Sequence, residues 1–152
     1  MSQLAARWAA RSFFAAALAL ALAGPAHAMT AWDQVKVTEL AKNLRDSVDG
    51  LRDAIRDSPQ WNFSQQKSIL YQIRDNLRWI ETESGSLYAM LSNGEGMEAT
   101  LNSYKRIQML KRDTQSLAQQ TQVSAFTQPA LDKAKGALDA LAAYYPADAA
   151  NP

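Results

Sequence analysis

The sequence predicts an all-α fold: an antiparallel up-down-up-down four-helix bundle of three long helices and a shorter fourth, following a cleaved signal peptide. Three observations predict it. Over residues 63–91 the apolar residues Leu70, Ile73, Leu77, Ile80, Leu87 and Leu91 recur at threes and fours, interrupted by Ser84 and Gly85 where the next apolar residue is due. Only a helix, at 3.6 residues per turn, puts those positions on one face. No stretch shows the two-residue alternation of a half-buried strand. Every connection between periodic segments is short, which favours antiparallel neighbours. Two long hairpins that dimerise to complete a shared core are the alternative architecture.

The chain opens with the pattern of a secretory signal. Arg7 and Arg11 precede an apolar run over residues 12–23, Gly24 and Pro25 break it, and Ala26-His27-Ala28 is a small-x-small cleavage site, with cleavage after Ala28. The run is short for a membrane span, which needs about 20 apolar residues. An uncleaved anchor, or translation from Met29, stays open as an alternative. The arginines are not adjacent and no cysteine follows the run, so neither a twin-arginine signal nor a lipoprotein anchor is indicated. The organisation expected is a signal peptide over 1–28, one domain over 29–145 and a flexible tail over 146–152, in the periplasm or secreted.

The first helix is expected over residues 31–57, capped by Thr30, with Asp33 in its first turn. Val37, Leu40, Leu44, Val48, Leu51 and Ile55 form its apolar stripe. Its other face alternates in sign, a solvated surface with Arg45–Asp49 and Asp53–Arg56 spaced as ion pairs of about 0.2–0.5 kcal/mol each. Gly50 marks a close helix approach or a bend. Ser58 and Pro59 end the helix, and Asn62 with Gln65 reads as a capping box for the second. Trp61 and Phe63 are placed over the bundle end, and Trp79 half-buried beside the seam.

Asn93-Gly94 is a stop and turn, after which Glu95 and Glu98 favour a third helix over 96–123. Its stripe is irregular: Met97, Leu101 and Tyr104 lie on one line, while Ile107, Leu110, Thr114, Leu117 and Thr121 lie on a rotated one. That pattern predicts a bent helix or a partly polar core. Thr127 as cap and Pro129 in the first turn introduce a fourth helix over 128–145, with the heptad line Leu131, Ala134, Leu138, Leu141 and Tyr145. Tyr144 and Tyr145, close to the tail, are expected to be partly exposed.

Composition narrows the chemistry. There is no cysteine, and the one histidine, His27, lies in the signal. The chain after residue 28 therefore lacks thiolate and imidazole metal sites, Cys and Ser–His nucleophile systems, and histidine-ligated or covalently attached haem. Loss of Arg7 and Arg11 takes Lys+Arg from 16 to 14 against 15 Asp+Glu, a net charge of −1 on 124 residues, which gives no electrostatic case for nucleic acid. Glu81 and Glu83 point to different sides of a helix, Glu95 and Glu98 suit a helix start, and neither a Glu-x-x-His motif nor a calcium loop is present. Met90, Met97 and Met109 read as gap-filling core residues, and no cofactor is expected.

One charged cluster is a candidate binding patch. Lys105, Arg106, Lys111 and Arg112 fall within two turns of the third helix, and Arg74 and Arg78 form an i, i+4 pair on the second. If the hairpin folds about Asn93-Gly94, residue i faces residue 187 − i, and the two groups merge. Anionic lipid, phosphorylated glycan or an acidic partner would suit that patch. A solvated face neutralised by Asp75 and Asp113 is the competing reading.

The function these features favour is an exported, non-enzymatic helical bundle acting by binding: an adaptor, a chaperone-like binder or a subunit of an envelope assembly, with a protein partner in the cell envelope or a homodimer. The alternative is a small-molecule carrier with its ligand inside the bundle, the room supplied by Ser84, Gly85 and the polar third helix. An enzyme working through carboxylate, tyrosine or lysine is the third reading.

Overall fold

The computed structural model describes residues 29–58, 67–120 and 125–150. The signal segment, the Asn62–Gln65 capping pair, Trp61, Phe63, Thr121 and Val123 lie outside the described residues. The rest is helical: α1 (Gln34–Arg56), α2 (Lys67–Ser92), α3 (Met97–Ala118), α4 (Gln128–Ala142) and a closing 3-10 turn (Ala147–Ala150), with no strand among the described residues. α1 packs on α2 and α4, α2 packs on α3, and the 3-10 turn packs on α3.

α1 begins three residues later than the sequence suggests. Asp33, in extended backbone, accepts the Lys36 N–H at 3.0 Å and is the cap. A carboxylate both satisfies that orphan donor and meets the positive helix end. Thr30, expected in that role, instead donates its backbone N–H to Ala143 O at 2.9 Å, tying the start of α1 to the end of α4. The stripe Val37, Leu40, Leu44, Val48 and Leu51 is buried as expected, joined by Ala41. Gly50 is exposed, and a Cβ there would meet nothing within 4 Å, so no close approach explains it. Arg45 pairs with Asp46 at 2.9 Å rather than with Asp49, and lies over the Tyr88 ring at 5.4 Å. Asp53–Arg56 forms as spaced, at 3.1 Å.

α2 is unbroken through Ser84 and Gly85. Ser84 is fully buried and donates its hydroxyl to Ile80 O at 2.6 Å, so the polar slot in the seam is satisfied by the helix itself. A Cβ on Gly85 would sit 3.8 Å from Arg45 Cδ, an ordinary contact. α2 ends in a Schellman cap: Gly94 takes φ +84°, its N–H bonds Leu91 O at 3.0 Å, and the Glu95 N–H bonds Met90 O at 3.1 Å. The stop read at Asn93-Gly94 thus has its physical cause in glycine's access to the left-handed region.

Gln34 supplies a tie no periodicity announces. Its Nε2 donates to Leu91 O at 2.7 Å and Glu95 O at 3.0 Å, while its Oε1 accepts from Trp32 Nε1 at 2.9 Å. The start of α1 is thereby fastened to the α2–α3 turn. Thr127 stands at the start of α4 but in helical backbone and without a capping side-chain bond, where Pro129 fixes the first turn. α4 stops at Ala142, and this early stop lets Tyr145 turn inward. Tyr145 is 3 % exposed, against the expectation of partial exposure, and Ala149 is fully buried. Residues 147–150, expected to fray, form the 3-10 turn against α3 because Ala149 has an apolar place to go.

Candidate ligand-binding cleft and arginine depression

The bundle is closed by different chemistry at its two ends. At the first, Tyr145 stacks on Tyr104 with ring centroids 4.0 Å apart and 5° between planes, and meets Trp32 edge-on at 5.6 Å. Both phenols have partners: the Tyr145 hydroxyl and Thr100 Oγ1 lie 2.8 Å apart, and Gln108 Nε2 donates to the Tyr104 hydroxyl at 2.7 Å. Burial pushes the Tyr145 phenol up to about 12, opposed by the Thr100 bond and reinforced by Tyr104. Burial raises Tyr104 too, with the Gln108 bond opposing and Asp139 adding. Two protonated phenols in a satisfied network lock helices together. Neither has the lowered pKa that a general base near neutrality requires.

Further along α3, away from this cluster, α3 and α4 part. Between them lies a cleft of about 460 Å³. Its floor is core surface: Leu44, Val48 and Leu51 from α1, Leu77 and Ile80 from α2, Leu131 and Leu138 from α4. α3 offers it Lys111, Thr114, Gln115, Ala118 and Gln119, where large apolar residues would have closed the seam. The irregular stripe read in the third helix therefore has a concrete consequence. Thr114 returns its hydroxyl to Leu110 O at 2.7 Å, and the small Ala118 and Ala134 leave room rather than fill it. The space lies between α3 and α4, one turn from the Ser84 position proposed to supply it, and Ser84 does not line it.

Lys111 reaches across this seam to Asp139 of α4 at 3.7 Å. Asp139's side chain is 66 % exposed, so the pair holds the helices only weakly. Lys135 stands on the α4 lip with no ion-pair partner among the described residues.

The six residues of the expected patch lie in different surroundings. Arg106 pairs with Glu83 at 3.3 Å, Lys111 belongs to the cleft, Lys105 is half-buried on α3 and Arg112 is exposed. Arg74 and Arg78 line a separate depression of about 220 Å³ with Arg52, Arg56 and Asp75, between α1 and α2. Arg74 lies 5.1 Å from the Tyr71 ring centroid and Arg78 5.9 Å from that of Trp79. The register explains the regrouping: Arg52 pairs with Glu81 across the α1–α2 contact, which sets Arg56 opposite the Arg74–Arg78 turn. Arg52 and Arg56 stand on the charged face of α1, and only the α1–α2 register brings them to this depression. Acids accompany the depression: Arg52 also holds Asp49 at 3.2 Å, and Arg56 holds Asp53 and Asp57.

The remaining candidates are spoken for. Glu81 and Glu83 are bound to Arg52 and Arg106. Met90 Sδ accepts from Ser103 at 3.8 Å, Met97 packs against the core, and Met109, read as gap-filling, is half exposed. Trp79, expected half-buried, is 54 % exposed, because its position falls off the α2 seam and Arg78 covers only part of the ring. Among the described residues no group of three acidic, histidine or cysteine side chains is arranged to hold a metal, and no helix is long and apolar enough to cross a membrane. No protein-family model, curated protein or solved structure matches the chain, so the reading of its site rests on its own geometry.

Proposed function

We propose that this is an exported, non-enzymatic binding protein whose ligand site is the cleft between α3 and α4. The observation that carries it is the cleft itself: core residues of α1, α2 and α4 back a space of about 460 Å³, within the roughly 300–1,000 Å³ of small-molecule sites. Export is supported by the n-region, apolar run and cleavage site over residues 1–28, and a binding role by the lack of His and Cys after residue 28. The fold that goes with this reading is an up-down-up-down bundle, supported by the Gln34 bonds to the α2–α3 turn and the Thr30 bond to Ala143. The cleft shifts the balance towards a carrier of small apolar ligands, held in a side cleft rather than in a sealed interior. An uncharged solvatochromic dye should bind the purified protein, and Ala118→Trp should block it by filling the cleft. A protein that leaves the dye in water, or binds it equally well with Trp at 118, removes the reading. Export is tested by the mass of the chain recovered outside the cytoplasm, expected to begin at Met29.

A second reading, an adaptor for an envelope protein, is favoured by one observation. Tyr71 and Trp79 are exposed beside Arg74 and Arg78, and aromatic and arginine residues are the types that dominate binding hot spots. A photo-crosslinker at Trp79 should then capture one defined partner, and Arg78→Glu should abolish that product.

A further inference from the structure

The lip of the cleft is cationic and its floor is not, which narrows the ligand class. This inference rests on the cleft being the ligand site. Lys111 from α3 and Lys135 from α4 both line it, and among the described residues no carboxylate does. Lys111 touches α4 at Asp139, and positions 135 and 139 are one helical turn apart on one face, so the two ammonium groups gather at one stretch of the lip. One of those charges is partly met by the exposed Asp139; the other is not. A head group carrying a single negative charge balances what remains. Lysine stems can cover apolar surface while their heads stay in water, which suits a ligand that is apolar at one end and anionic at the other.

Size decides between a protein segment and a small amphiphile. The α3 side of the cleft runs from Lys111 to Gln119 and the α4 side from Leu131 to Leu138, about 10–12 Å at 1.5 Å per residue. A stable protein interface buries on the order of 800 Å² per partner, more than two helical turns of cleft provide. The volume also has room for one chain rather than for a two-chain lipid. We infer that the cleft takes a single-chain carboxylate amphiphile of the fatty-acid class, its head between Lys111 and Lys135 and its tail over Val48, Leu51, Leu77 and Leu131.

The test uses the purified protein, dye displacement, and three probes of equal chain length below their micelle concentrations: dodecanoate, methyl dodecanoate and dodecyltrimethylammonium, at pH 8. Dodecanoate should bind about tenfold more tightly than the methyl ester, as a charge-assisted contact to two ammonium groups would give, and the cationic probe should bind weakest. Lys111→Gln with Lys135→Gln, both at the lip, should bring dodecanoate to within about threefold of the ester measured on the same variant. In the wild-type protein, carboxyl-labelled dodecanoate should show magnetisation transfer to the Lys135 side chain, a readout that needs no variant. Equal affinity for the three probes, or a preference that survives loss of both lysines, overturns the inference and leaves the cleft reading standing if Ala118→Trp still blocks the dye. If Ala118→Trp blocks nothing, or no probe binds, both fall.

Discussion

α3 faces the C-terminal part of the chain twice, and the two meetings have opposite outcomes. At one, Tyr104 and Tyr145 stack, Trp32 meets their edge, and every buried hydroxyl and amide has a partner. At the other, an alanine pair and a row of Thr and Gln leave a cleft over the apolar core. α3 runs through both, so its helical propensity does not separate the ends. What separates them is whether the side chains at the seam are large, apolar and able to satisfy their own polar atoms. A bundle needs one tight end to hold register; the other can then stay open without loss of the fold.

The largest expected effect breaks the tight end. Tyr145→Ala removes a buried ring from contact with Tyr104 and Trp32 and should cost about 3–5 kcal/mol in urea unfolding. Near-neutral stability after that change would mean that the aromatic stack does not hold α3 against the 3-10 turn.

Alkaline pH attacks the same end by deprotonation. Tyr145 holds its proton to about 12 in the folded protein, against an ordinary value of 10. Below pH 10 folded and unfolded chains both carry it and the stabilisation is complete. Between pH 10 and 12 the unfolded chain ionises first, so stability falls, by up to about 1.4 kcal/mol per pH unit from this group. Tyr104, raised likewise, adds in the same direction. Tyr145→Phe should flatten the decline measured by denaturation between pH 9 and 12.

Legibility in the sequence differs between the ends in the same way. The seams of α1 and α2 follow from spacing, because burial of Leu44, Leu77 or Leu87 depends only on the helical period. Tyr145 was on the fourth helix's heptad line, yet its burial depended on α4 stopping at Ala142 and the chain turning inward, a tertiary event with no local signal. Gln34 was silent for a related reason: its partners are backbone carbonyls 57 and 61 residues away, and a carbonyl carries no sequence identity. The open end was half legible. The excess of Thr along the third helix pointed to a weak seam, but Ser84 drew attention to the wrong helix, since a buried hydroxyl that bonds its own backbone leaves no space behind. The basic residues are legible in the sequence, while the depression that Arg74 and Arg78 share with Arg52 and Arg56 follows from the α1–α2 register, which no local spacing announces.

A smaller effect comes from converting the open end into the closed kind. Thr114 lines the cleft half-buried, its hydroxyl spent on Leu110 O. Thr114→Leu should bury apolar surface across the seam and stabilise the fold by about 1–2 kcal/mol, while weakening dye binding several-fold. Stabilisation with binding unchanged would show that the dye sits elsewhere.

The smallest effect asks whether the open end is soft because its seam is uncovered or because its helices are poor. Gly50 adjoins the floor residue Leu51, and Gly136 adjoins Lys135 on the lip. Both lie inside helices with exposed positions, and a Cβ at either would meet nothing within 4 Å. Alanine at each should therefore add about 0.5–1 kcal/mol by restricting the unfolded chain alone. If the cleft is open because large side chains are missing from its lip, Gly50→Ala and Gly136→Ala raise the unfolding midpoint and leave dye affinity where it was. If instead the affinity drops as the helices stiffen, the cleft is a product of helix fraying, and the contrast between the two ends lies in backbone propensity rather than in side-chain packing.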